Sequence, residues 1–183
     1  MRKFAIALLC VMFASSMVLA ASGKNSASIK SSTSGANEGQ MAIGYFYGSL
    51  IGGTQAISFR YCATDMFAVE GLLGFTTNDN LFGGTGGSIF AFGVKSYYIF
   101  KRYSSFNFYG TFGMSLGMIS PKQGDSQTAF GILGGVGIEY FIVRNLSISS
   151  ELGLAGSFMK NDNAFGTFGD AMSNFGLRYY FGG

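Results

Sequence analysis

From Met41 to Phe181 apolar residues alternate, mostly one for one, with small or polar ones. Period two is the signature of a β-strand with one apolar face. In the stretch from 146 to 158, Leu146, Ile148, Leu152, Leu154 and Phe158 fall on one face, and Ser147, Ser149, Glu151, Gly153 and Ser157 on the other. Between 106 and 118, Phe106, Phe108, Phe112, Met114, Leu116 and Met118 oppose Asn107, Tyr109, Thr111, Gly113, Ser115 and Gly117. Between 130 and 140, Phe130, Ile132, Val136, Ile138 and Tyr140 oppose Gly131, Gly135, Gly137 and Glu139. Outside the N-terminus no apolar run reaches the roughly 20 residues that a membrane-spanning helix needs. The pattern therefore predicts an all-β chain.

Eight such stretches are read, at 41–50, 54–61, 67–75, 89–100, 106–119, 128–142, 146–159 and 172–181. Most are long enough for a tilted strand to cross a bilayer, which takes about 9–11 residues. The connections 62–66, 101–105 and 143–145 are short, whereas 76–88, 120–127 and 160–171 are longer and polar. Only 51–53 is short where a long connection is due. Short turns at one end and long loops at the other characterise outer-membrane barrels. An even number of strands brings both ends of the sheet to the short-turn side.

The second face decides what surrounds the barrel. A soluble carrier barrel would bury the apolar set and cover its exterior with Lys, Glu and Asp. Charged residues here make up only 11% of the chain, too few for a hydrated shell around this much apolar surface. The other face is mostly Gly, Ser and Thr, which fits a narrow interior. The apolar face, with Tyr45, Tyr47, Tyr61, Tyr98, Tyr140 and Tyr179 near strand ends, suits hydrocarbon flanked by aromatic girdles. Closing the sheet satisfies the backbone groups that lipid cannot. The expected fold is an eight-stranded antiparallel up-and-down transmembrane β-barrel spanning 41–183.

Residues 1–20 read as a secretory signal peptide, with a basic start at Arg2 and Lys3, an apolar core and small residues before a cut near Ala20 or Ala21. Ala7-Leu8-Leu9-Cys10 loosely matches a lipidation box but leaves almost no hydrophobic segment ahead of the cut. Residues 21–40, rich in Ser, Lys, Asn and Gly, read as a flexible leader. Without the signal the chain is nearly neutral and holds one cysteine, Cys62, which has no internal partner for a disulfide. A near-neutral chain without a basic cluster gives no support for nucleic-acid binding.

The same alternation sends six charges inward: Arg60, Glu70, Lys95, Glu139, Glu151 and Arg178. They balance in sign and lie on six different strands. Eight strands enclose a bore that side chains can fill, and unpaired charges there are costly. A complementary network that plugs the lumen is expected. The alternative is a scatter of hydrated positions among the inward glycines Gly93, Gly113, Gly117, Gly131, Gly135 and Gly137.

The C-terminal stretch Asn174-Phe175-Gly176-Leu177-Arg178-Tyr179-Tyr180-Phe181 resembles the signature by which outer-membrane barrels are recognised by their assembly machinery, carried here by Asn174, Gly176, Tyr179 and Phe181. Family members usually end on the aromatic, whereas Gly182 and Gly183 follow it here. Ala56-Ile57-Ser58-Phe59-Arg60-Tyr61 with Phe67-Ala68-Val69-Glu70, and Gly137-Ile138-Glu139-Tyr140-Phe141 with Val143-Arg144-Asn145-Leu146, resemble hairpins of the small OmpA- and OmpX-like outer-membrane barrels. The resemblance covers about 41–181. It implies an outer-membrane location, contact with outer-membrane lipid, and assembly by that machinery. Outer-membrane enzymes of this kind generally rely on histidine.

This chain has no histidine, which excludes Ser-His catalysis and histidine metal ligands. Glu139 and Glu151 on neighbouring strands suit acid–base work, but nearby cations favour a structural part. Gly83-Gly84-Thr85-Gly86-Gly87 lacks the Lys and helix of a phosphate loop. No enzyme, cofactor or metal site is expected. An Asn-Asp-Asn-x-Phe-Gly pattern occurs twice, from Asn78 and from Asn161. Asx-rich turn chemistry accounts for it, while Asp79, Phe82, Asp162, Phe165 and Phe168 remain candidates for contact with an unidentified surface ligand. The expected role is envelope structure or surface interaction, with a narrow porin passing small solutes or an apolar ligand as the alternative.

Overall fold

The structure is a computed structural model in which residues 36–47, 55–78, 86–122, 124–160, 163–168 and 174–182 are described. The strands are β1 (Met41–Tyr47), β2 (Ala56–Cys62), β3 (Phe67–Asn78), β4 (Gly87–Arg102), β5 (Phe106–Pro121), β6 (Gln127–Val143), β7 (Leu146–Phe158), β8 (Asn163–Phe168) and β9 (Phe175–Phe181). Every pairing is antiparallel, and each strand from β1 to β7 pairs with the next. β9 pairs with β1 on one side and β7 on the other, which closes an eight-membered ring. All the expected strands are present, though several differ in length from the sequence reading.

Register fixes the geometry of closure. Following paired residues from Gly44 through Ser58, Leu72, Gly93, Ser115 and Gly131 arrives at Ser157 on β7. The direct route from Gly44 through Arg178 arrives at Ser147 on the same strand. The offset, 157 − 147 = 10 residues, is the shear of the barrel and sets the strand tilt. β-Bulges between Ile99 and Lys101 and between Phe141 and Val143 lie beside the short turns, where barrel rims commonly carry them. Pro121, the sole proline, sits at the last position of β5, where no further ladder bond is lost.

Two sequence expectations need correction. Residues 160–171 were expected to form one long loop, but 163–168 form β8, paired with β7 from Gly153 to Phe158. β7 runs past the point where β9 begins, so its upper edge has backbone groups in need of partners. β8 supplies them and completes the eighth stave in two pieces. Second, of the leader assigned to 21–40, residues 36–40 are hydrogen-bonded to β2 and buried in part rather than free. The first connection, read at 51–53, lies outside the described residues. The signal assigned to 1–20 and the leader up to 35 lie outside the described residues.

Side chains alternate as the sequence demands. Ile57, Phe59 and Tyr61 on β2, Phe90, Phe92 and Val94 on β4, and Leu152 and Leu154 on β7 are exposed on the outer face. Tyr45, Tyr47, Tyr61, Tyr98, Tyr140 and Tyr179 are outward too, the last four toward the short-turn end. On β4 the outward Ser96 donates its hydroxyl to the Phe112 carbonyl on β5 at 3.1 Å. The interior is layered. Ala42, Cys62, Ala68, Tyr97, Ile99, Tyr109, Phe141 and Tyr180 pack as one buried cluster at the short-turn end. Phe46, Ala56, Leu72 and Ala91 form another, and Ile89, Ile119 and Ala129 a third toward the long-loop end.

Candidate functional site: an ionic cluster inside the barrel

Arg60, Glu70 and Lys95 are direct cross-strand neighbours on β2, β3 and β4, because Arg60 pairs with Glu70 and Glu70 with Lys95. Glu139, Glu151 and Arg178 come from β6, β7 and β9 on the other side of the ring. Closure brings the two groups together. All six are at most 2% exposed.

Four of them form a closed quartet. Arg178 donates Nε to Glu70 Oε1 at 3.0 Å and Nη2 to Glu70 Oε2 at 3.2 Å, the two-pronged geometry that suits guanidinium and carboxylate. Its Nη1 reaches Glu139 Oε1 at 3.1 Å and Ser149 Oγ at 2.9 Å. Arg60 bridges the same two carboxylates, at 3.3 Å to Glu70 and 3.2 Å to Glu139. β2 and β6 are four strands apart in a ring of eight, so the Arg60–Glu139 pair spans the bore. Lys95 and Glu151 form a separate pair from β4 to β7.

Tyrosine hydroxyls and rings complete the cluster. Tyr97 donates to Glu70 at 2.5 Å, Tyr180 to Glu139 at 2.8 Å, and Tyr109 to Glu151 at 3.1 Å. Ser147 adds a bond to Glu139 at 2.7 Å, and the Asn174 amide one to Glu151 at 3.4 Å. The Arg60 guanidinium lies 3.9 Å from the Tyr97 ring centroid and that of Arg178 4.3 Å from Phe46, in the range of cation–π attraction. Each carboxylate thus meets at least one cation and one neutral donor, which offsets the cost of taking it out of water.

At Gly113, Gly135 and Gly137 the space of the missing side chain is taken by neighbours. A Cβ on Gly113 would lie 2.8 Å from the Lys95 stem, and one on Gly137 2.5 Å from the Tyr109 ring. Gly135 and Gly153 face each other on β6 and β7, and a Cβ on either would meet the opposing backbone at 2.2 Å. These positions have no side chain because another residue or strand fills the space.

Sequence reasoning had not assigned Tyr97 and Tyr180 to the interior, nor given Tyr109, Ser147 and Ser149 a part in the network. The signal was available: each shares the parity of a charged residue two positions away or of its strand's inner face. Of the C-terminal signature, Asn174 and Gly176 point inward, the latter against Phe46 and Ser149, while Tyr179 and Phe181 point outward. Of the loop candidates, Asp79, Phe82 and Asp162 lie outside the described residues. Phe165 stands on β8 with 72% of its surface exposed, and Phe168 is the last residue of that strand. Among the described residues no group of His, Cys, Asp and Glu is arranged to hold a metal ion, and no helix is long and apolar enough to cross a membrane.

The family model for the outer membrane protein beta-barrel domain matches residues 6–181. The chain belongs to this family. It is an integral outer-membrane protein, and the short turns of such barrels face the periplasm. Among solved structures, the N-terminal β-barrel domain of Pseudomonas aeruginosa OprF matches with a TM-score of 0.55 at 16% identity, over 79% of this chain and 98% of that one. Neisserial surface protein A matches with a TM-score of 0.44 at 19% identity, over 78% and 94%. Yersinia pestis Ail matches with a TM-score of 0.43 at 17% identity, over 78% and 97%. The OprF likeness shows the barrel fold. No curated protein matches the chain.

Proposed function

We propose that this protein is a closed outer-membrane barrel with a structural and surface-contacting role, its lumen blocked by the ionic cluster. The observation that carries this reading is the diametric Arg60–Glu139 bridge, joined to Arg178 and Glu70 and roofed by tyrosine rings. Ions cannot pass a bore in which fixed charges are already mutually neutralised and packed by side chains unless that network opens. The three interior carboxylates are engaged by cations and hydroxyls, which leaves none placed to exchange a proton with a substrate. We read no catalytic role.

The exposed apolar band is read as the surface that meets outer-membrane lipid. Tyr179, Phe181, Asn174 and Gly176 are read as the segment engaged by the barrel-assembly machinery. Phe165 and its neighbours at the long-loop end are the candidates for contact with a surface ligand of unidentified chemistry, and nucleic acid is not a partner. Single-channel recording on the refolded full chain in planar bilayers tests the closed lumen. Brief or absent openings are expected. Large, steady conductance would overturn the closure and make the protein a narrow porin.

A further inference from the structure

Just before β1 the chain turns across the short-turn mouth of the barrel. Gln40 N donates to the Asn37 carbonyl at 3.1 Å and Asn37 N to Gln40 Oε1 at 2.9 Å, closing a tight turn. Gly39 takes a φ of 80°, a left-handed conformation that favours glycine. The turn is stitched to the end of β2 by two bonds of 2.9 Å, Gly39 N to the Cys62 carbonyl and Cys62 N to the Gln40 carbonyl.

A simple lead-in to β1 would need nothing further. This segment is also held from β4, three places away around the ring. Arg102 donates Nη2 to the Ala36 carbonyl at 2.9 Å, and its Nη1 reaches Asn37 Oδ1 at 3.5 Å. The same guanidinium bonds the Asp65 carbonyl in the β2–β3 turn, and Glu38 N donates to Asp65 Oδ1 at 3.1 Å. Ala36 is buried against the lumen cluster that contains Ala42, Cys62, Phe141 and Tyr180. The chain therefore passes over the opening rather than along the wall.

We propose that residues 36–40 form a latch across the periplasmic mouth, held shut by Arg102, which shields the apolar floor of the lumen from the periplasm. This goes beyond the ionic closure, since the bonds that hold the latch come from Arg102, Asp65 and Cys62 and not from the six cluster charges. It makes the lumen closed twice in series.

Cys62 lies beneath the latch and reports on it. In the full chain carrying Cys10→Ser, so that Cys62 is the one thiol, a charged maleimide should label the folded protein slowly. Arg102→Ala and Gly39→Val should each raise the labelling rate by about ten-fold, the effect of losing one or two net hydrogen bonds from a local opening equilibrium. Arg102→Lys, which keeps a donor, should fall between. Circular dichroism and the gel mobility of unheated protein report whether each variant is folded. Rates within about two-fold of the parent in all three folded variants, or fast labelling of the parent itself, would overturn the latch. Fast labelling of a parent that shows no steady channels would instead sink the latch and leave the ionic closure intact, whereas steady channels would overturn both.

Discussion

Arg178→Met removes one corner of the quartet and leaves the rest in place. Methionine keeps much of the stem that packs beside Phe46 but none of the five donors. Lost are two bonds to Glu70, at 3.0 and 3.2 Å, and one each to Glu139, Ser149 and the Tyr97 hydroxyl, at 3.1, 2.9 and 3.3 Å. Arg60 alone then faces two buried carboxylates. Breaking a buried pair by deleting one partner costs about 3–5 kcal/mol, because the remaining charge stays out of water without compensation. The double variant Arg178→Met, Glu139→Gln restores charge balance, leaving Arg60 with Glu70 and with a neutral acceptor. It should recover about 2 kcal/mol relative to the sum of the two single changes, as expected for residues in one network. The chain has no tryptophan, so urea unfolding in lipid vesicles is followed by far-ultraviolet circular dichroism and by gel mobility. A single variant within about 1 kcal/mol of the parent, or strict additivity in the double variant, would refute the account of the quartet as a coupled unit.

Two further changes test the wall itself. Gly153→Ala places a Cβ against the β6 backbone at 2.2 Å and should cost about 1–3 kcal/mol as overpacking, whereas Gly71→Ala, with open space around its Cβ, should be near neutral in the same unfolding assay. Val94→Arg puts a charge on the outer face halfway along β4 and should cost about 2–4 kcal/mol in a bilayer, while Tyr98→Arg, nearer the rim, should cost about 1 kcal/mol or less beyond the loss of its ring. Equal costs at the two positions would contradict the depth assigned to them.

Much of this architecture was legible because one physical rule governs every strand. A wall one sheet thick, with hydrocarbon on one side and a narrow bore on the other, writes its two environments onto alternate residues, and Leu152 against Glu151 is that rule in miniature. The six inward charges followed from parity alone. What parity does not carry is distance around the ring: it cannot say that Arg60 reaches Glu139 while Lys95 reaches Glu151, because the pairing depends on the ten-residue shear. The tyrosines Tyr97 and Tyr180 were missed for a related reason. Aromatics in such a chain are expected in the girdles, and Tyr179 beside Tyr180 shows how a single step exchanges one environment for the other. β8 was hidden by its Asn, Asp and Gly neighbours, which read as turn chemistry; the pull toward a strand came from the unpaired edge of β7, a tertiary demand.

The buried ion pairs have a consequence for how the wall can be put together. A strand that slid by one residue against its neighbour would turn its charge into hydrocarbon. A slide by two would keep it inside but part Arg60 from Glu70, or Glu70 from Lys95. Apolar side chains of the same volume would stabilise the finished barrel as well or better, yet they would tolerate several neighbouring alignments almost equally. The charges make those misaligned barrels costly, so what they contribute is the choice of one seam among many.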